Sequence, residues 1–247
     1  PASDTAPAGA DIPPPVSPLT RSCCALAQAA CIALFYFLTA APVALILLLW
    51  MKVWAGEVPM TQALLIVGTL VLLAYPAWLL LAILVKWVVM GRYKAGCWPL
   101  WGLYYFRWWV ASQIQAASHA EMLRGTPLMS LYLRLMGARV GRNCTIDSQF
   151  FGAFDLVSIG DDTSIAVDTQ LFGARVEGGV FYVGRVDIGS RCFVGTHALV
   201  GLDTVMEDDS RLDDLSSLVD GETIPQGQSF KGSPARPGVV QTPEPRR

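Results

Sequence analysis

The stretch Ile188–Ile224, IGSRCFVGTHALVGLDTVMEDDSRLDDLSSLVDGETI, decides the fold of its part of the chain. Every sixth residue is a large apolar one: Ile188, Val194, Val200, Met206, Leu212, Leu218, Ile224. Four positions after each of the first five come Cys192, Ala198, Thr204, Ser210 and Ser216, all small, and Gly189, Gly195 and Gly201 follow the first three aliphatics. A period of six with one inward aliphatic and one small residue describes a triangular coil: each face contributes one core side chain, each corner needs little volume, and successive coils stack about 4.8 Å apart by parallel strand pairing. Working backwards, the register runs through Tyr182 and Val176, with Ile159, Ile165 and Leu171 as a second run and Val140 and Ile146 as a third. The slips between runs predict interruptions around Gly152–Asp155 and Gly173–Gly179, the latter a projecting loop, and about five coils in all.

Upstream the composition is different. The 30 residues between Arg21 and Lys52 and the 28 between Glu57 and Lys86 carry no charge, and each stretch exceeds the roughly 20 apolar residues that cross a bilayer as a helix. Pro42 and Pro76 lie inside them, where neighbouring helices can absorb a kink. Lys86, Arg92, Lys94 and Arg107 all follow the second stretch, so the positive-inside rule places both ends, and the repeat domain, on the cytoplasmic side of an inner or plasma membrane crossed twice. Trp98, Trp101, Tyr105 and Trp108 recur at helical spacing and predict a helix lying in the water–lipid interface. The organisation expected is a disordered Pro-rich linker at 1–20, a two-helix transmembrane anchor at 21–94, interfacial and amphipathic helices at 95–139, the β-helix at 140–237 and a tail at 238–247. A start at Pro1 followed by a Pro-rich linker reads as a piece of a longer multidomain polypeptide.

Composition excludes several functions across the 247 residues. A net charge of -2 with no basic run argues against nucleic acid. The six cysteines lack metal or disulfide spacing and read as reduced apolar fillers, and two histidines cannot form a three-histidine zinc site within one chain. No metal and no bound cofactor is expected. Between Val140 and Ile224 there are 15 Asp and Glu against five Arg, a field that attracts a cationic amine acceptor. His197 is neither the inward aliphatic nor the small corner residue of its hexad, so its imidazole projects outward, where it can serve as a general base near neutral pH. Asp187, Asp203 or a residue of the projecting loop can orient it, and Gly195 and Gly201 are expected on the acyl-donor side, where their backbone N–H groups can stabilise an oxyanion.

The segment Val186–Pro237 resembles the left-handed β-helix acyltransferases of the hexapeptide-repeat family. Val194-Gly195-Thr196-His197-Ala198 is similar to the coil whose histidine is the catalytic base in sugar and xenobiotic acetyltransferases. Gly232-Ser233-Pro234-Ala235 is similar to the closing motif that lies along the pantetheine arm of the acyl donor. Arg21–Pro237 as a whole resembles the membrane-bound terminal region of nonribosomal peptide synthetases of the poly-lysine synthetase type. It does so on the paired spans, on KWVVMGRYKAGCWPLWGLYYFRWW, on GTPLMSLYLRLMGARVGRNCTID, and on the repeat ending in FKGSPARP. The resemblance implies an acyltransferase that joins an acyl or aminoacyl group, presented as a phosphopantetheine thioester on a carrier protein or as coenzyme A, to an amine. It also implies a homotrimer, or a pseudo-trimer of tandem copies, beside membrane lipid. The alternative is a catalytically silent scaffold that completes a neighbouring active site.

Overall fold

The computed structural model describes residue 14 and residues 16–238, so most of the linker and the tail lie outside the described residues. The chain divides into two compact units, one built from residues 16–90 and 101–119 and the other containing residues 91–100 and 120–238.

The first unit is helical. Helix α1 (Pro18–Trp54) starts inside the stretch read as linker, with Ser17 accepting a hydrogen bond from the Thr20 N–H at 3.2 Å and Pro18 in the first turn. Helix α2 (Met60–Val85) runs on into a π-helical turn, Lys86–Met90, whose Val89 and Met90 carbonyls accept hydrogen bonds from the Arg107 guanidinium. Both long helices are apolar and long enough to cross a membrane, with mean hydropathies of 2.5 and 2.3, and neither is broken at Pro42 or Pro76. Helix α3 (Leu103–Ala117) carries Tyr105 and Trp108, and the Trp101 and Trp108 rings each lie 5.7 Å from that of Tyr105. Trp98 does not join the aromatic helix that its spacing predicts, because Gly96–Pro99 is a strand of the other unit.

The second unit is a left-handed parallel β-helix of about five turns, as the hexad pattern and the resemblance together led us to expect. Its first face stacks Arg139–Val140, Val157–Ile159, Val186–Ile188, Thr204–Met206 and Thr223–Ile224. The second stacks Thr145–Ile146, Ser164–Ile165, Phe193–Val194, Arg211–Leu212 and Ser229–Lys231. The third stacks Phe150–Phe151, Gln170–Leu171, Leu199–Val200 and Ser217–Leu218. The seven residues of the six-fold register are all 3% exposed or less, so the aliphatics do fill the interior. Helix α4 (Pro127–Met136) ends on Gly137 at φ 109° and packs Met129, Tyr132, Leu133 and Met136 over the first coil.

Two local devices hold the corners. The fourth residue of successive hexads, Arg191, His197, Asp203, Asp209, Leu215, Gly221 and Gly227, has positive φ between 52° and 73°, so each turn passes through the left-handed region. In addition, aspartates accept hydrogen bonds from backbone N–H groups one coil earlier: Asp203 from Arg185 at 2.9 Å, Asp208 from Ser190 at 2.8 Å, Asp214 from Thr196 at 2.7 Å and Asp220 from Leu202 at 2.8 Å. Each such bond to a carboxylate contributes about 1.5–3 kcal/mol. It also explains the glycines, because a Cβ at Gly195 would stand 2.6 Å from the Asp214 carboxylate and one at Gly201 2.5 Å from that of Asp220.

The projecting segment differs from the expected loop. Ala174–Glu177 and Val180–Val183 form an antiparallel hairpin, and Gly96–Pro99 adds a third strand beside Val180–Val183. Val176 and Tyr182 therefore belong to this small sheet and not to the coil: their six-residue spacing is a coincidence of the alternation in a hairpin turning at Gly178-Gly179. Near Gly152–Asp155 the coil is interrupted as expected, by a 3-10 turn at Phe154–Leu156.

Candidate active site along one edge of the coil

His197 turns the corner between the second and third faces. Its backbone is held on both sides: its own N–H donates to Val167 O at 3.0 Å, and the Leu215 N–H donates to Thr196 O at 2.9 Å. The left-handed corner, at φ 52°, and the exposure of the residue leave the imidazole outside the coil, where it makes no hydrogen bond or ion pair with any described residue. This edge thus presents an imidazole on a rigid backbone, open to a reactant.

The same edge collects other groups in register. Asp168 occupies the equivalent corner one coil earlier and pairs with Arg124 at 3.0 Å, while Leu215, 73% exposed, occupies it one coil later. Beyond Leu215 the second face runs on through Lys231 into Gly232-Ser233-Pro234-Ala235. Gly232 N–H donates to the Ser216 hydroxyl at 3.0 Å, and Gly232 O and the Ala235 N–H bond the Ser217 backbone at 2.9 and 2.8 Å. Ser233 and Pro234 stay exposed while Ala235 is fully buried. His197 and the closing motif therefore share one edge two coils apart, about 10 Å along the axis at the spacing of stacked strands.

Other expected participants fall elsewhere. Asp187 lies in the middle of the first face, and Asp203 turns the corner between the third and first faces, so neither shares an edge with His197. Asp168, paired with Arg124, is the carboxylate stacked in register with it, a neighbour not reached by hexad counting because the chain between the two coils contains the hairpin. The N–H groups of Gly195 and Gly201 donate to Leu212 O at 2.8 Å and Leu218 O at 3.0 Å, which removes them as oxyanion donors. The requirement for glycine there is steric.

Among the described residues no group of three or more His, Cys, Asp or Glu is placed to hold a metal ion. All six cysteines are free. Burial, with the nearby Asp203 carboxylate, pushes the Cys97 thiol above its ordinary range, so it stays protonated at neutral pH. A separate cavity of about 260 Å3 lies below α4, lined among others by Thr126, Ser130, Asn143, Cys144 and Thr145, and contains none of the expected site residues.

No family model matches the chain. Over 108 residues it is 40% identical to the delta-poly-L-ornithine synthetase of Acinetobacter baumannii (strain AB307-0294), a match that covers 44% of this chain and only 8% of that relative's length. Among solved structures, a maltose O-acetyltransferase from Clostridium difficile 630 aligns with 50% of this chain and 83% of its own at 15% identity and a TM-score of 0.39. A hexapeptide-repeat acetyltransferase from Vibrio cholerae O1 biovar eltor, complexed with acetyl coenzyme A, aligns with 53% of this chain and 90% of its own at 12% identity and a TM-score of 0.38.

Proposed function

We propose that this chain is a membrane-anchored acyltransferase module, part of a larger peptide-forming synthetase, that moves an acyl or aminoacyl group from a pantetheine thioester to an amine. The observation that carries the reading is the edge on which an exposed, backbone-fixed His197 and the Gly232–Ala235 motif stand in line. The 40% identity to a part of a poly-ornithine synthetase supports the synthetase context. In the reaction the amine nitrogen attacks the thioester carbonyl, the C–N bond forms and the C–S bond breaks. His197 takes the proton lost by the amine and returns it to the departing thiolate. The pantetheine arm of a carrier protein or of coenzyme A lies along the edge, with Gly232, Ser233, Pro234 and Ala235 at its far end. The acidic coil draws in a cationic acceptor. Two helices of spanning length support a two-pass anchor with the β-helix in the cytoplasm, and a second and third copy complete the groove as a homotrimer or pseudo-trimer.

His197→Ala in the parent assembly is the direct test. Aminolysis of the thioester is expected to slow by roughly 10²- to 10⁴-fold with the fold intact. A second reading, the silent scaffold, is favoured by the imidazole having no orienting hydrogen bond among the described residues. Full turnover by the variant would establish that reading instead.

A further inference from the structure

Helix α4 is apolar on both sides. Its inner face buries Met129, Tyr132, Leu133 and Met136, and its outer face presents Leu128, Leu131 and Leu135 at 57%, 48% and 46% exposed, one stripe at helical spacing. Met122, in the turn before it, is 72% exposed. A helix that needs only one apolar face to cap the first coil has no folding reason for a second.

The chain on either side of that second face is mostly basic. Between residues 120 and 143 there are four arginines, Arg124, Arg134, Arg139 and Arg142, against the single acidic Glu121. From 144 to 238 the balance reverses, with 15 acidic residues against six basic ones. Arg124 is partly neutralised by Asp168, whereas Arg134, Arg139 and Arg142 are exposed on or just after α4. The β-helix is thus a charge-polarised rod whose capping end is basic and whose coils are acidic.

We infer that the outer leucine stripe of α4 docks on an anionic phospholipid bilayer, the leucines entering the headgroup boundary and Arg134, Arg139 and Arg142 meeting lipid phosphates. The apolar stripe bordered by arginine is the chemistry of an interfacial helix, and the acidic coils are repelled by the surface that attracts the cap. The inference rests on the membrane-anchor reading, since helices of spanning length keep a bilayer within reach of the cap. Docking by this face would hold the first coil against the lipid and leave later coils, with the His197 edge, toward water.

The test uses the full chain in nanodiscs of phosphatidylcholine and phosphatidylglycerol at about three to one, where anionic lipid gives the negative surface the arginines need. A benzoylphenylalanine photocrosslinker replaces Leu131, or Leu215 as a still more exposed coil position, or Leu72 as an anchor position. Lipid adducts are expected from position 131 and not from 215. The yield at 131 should fall at least about fivefold when phosphatidylglycerol is replaced by phosphatidylcholine, the factor that one basic residue carries near such a surface. Crosslinking of position 131 to a second copy of the chain, an absence of lipid adducts there, or a yield indifferent to anionic lipid would each overturn the inference. The Leu72 adduct reports the anchor separately: its loss would sink the anchor reading, whereas its presence beside a silent position 131 would sink only the docking face.

Discussion

Gly195→Ala separates two explanations of a glycine beside the candidate base. A Cβ built at this position meets the Asp214 N at 2.4 Å, the Asp213 carbonyl carbon at 2.6 Å and the Asp214 carboxylate at 2.6 Å. Two of these contacts are backbone, so the next coil must move. Overpacking of this kind costs about 1–3 kcal/mol. Displacing the Asp214 carboxylate from the Thr196 N–H at 2.7 Å adds about 1.5–3 kcal/mol, for a total of roughly 2.5–6 kcal/mol. For a domain of about 100 residues each kcal/mol moves the midpoint by about 4–8 °C, so the β-helix should unfold at least about 10 °C lower. The assay is the temperature dependence of protease protection of the β-helix, with the full chain in detergent. Gly178→Ala is the comparison: among the described residues nothing lies within 4 Å of its Cβ, and φ +57° is what opposes the change, at about 1–2 kcal/mol. If Gly195 were needed for its N–H, alanine would keep that donor and the stability with it. A midpoint within about 2 °C of wild type would therefore refute the steric account, on the same scale of degrees per kcal/mol.

Val194→Asp places a carboxylate at a fully buried position between Ile165 and Leu212, and the coil is expected to lose its cooperative unfolding transition and its protease resistance at a cost of several kcal/mol. Arg124→Ala breaks a partly exposed pair with Asp168 and should change stability by less than about 1 kcal/mol in the same protease assay. The exposed Asp209 is held below its ordinary pKa first by the hydrogen bond from Arg191. Its stabilising contribution is therefore present above the ordinary carboxylate range and lost as pH falls through the depressed value. Following the Asp209 carboxyl by NMR, Arg191→Ala should move its titration upward toward that ordinary range.

The inward register was readable because a single position in six decides it and large aliphatics can go nowhere else. The site was readable only in part. Residues that stack one coil apart are neighbours only if the length of the coil is known, and the hairpin at Ala174–Val183 lengthens one coil so that Asp168 and His197 meet in register 29 residues apart. In regular coils the signal lies in a 19-residue spacing that hexad periodicity does not contain: Gly184 and Asp203, Gly189 and Asp208, Gly195 and Asp214, and Gly201 and Asp220 each stand 19 residues apart, the glycine making room for the aspartate. The strand at Gly96–Pro99 was hidden for a different reason. Its pairing with Val180–Val183 is a tertiary contact more than 80 residues away, and its tryptophan happened to match a helical period.

The left-handed corner also bears on how such a domain evolves. At one corner after another the same position holds Arg, His, Asp, Asp, Leu, Gly and Gly, all with positive φ. Side chains of either charge and very different size are accepted there because they leave the apolar interior, whether they bond along the outside, as Asp203 does to the Arg185 N–H and Arg191 to Asp209, or project freely as His197 does. A residue such as His197 can therefore drift in or out by single substitutions with almost no penalty in folding, and duplicated copies can trade an active edge for a silent one while remaining interchangeable as building blocks.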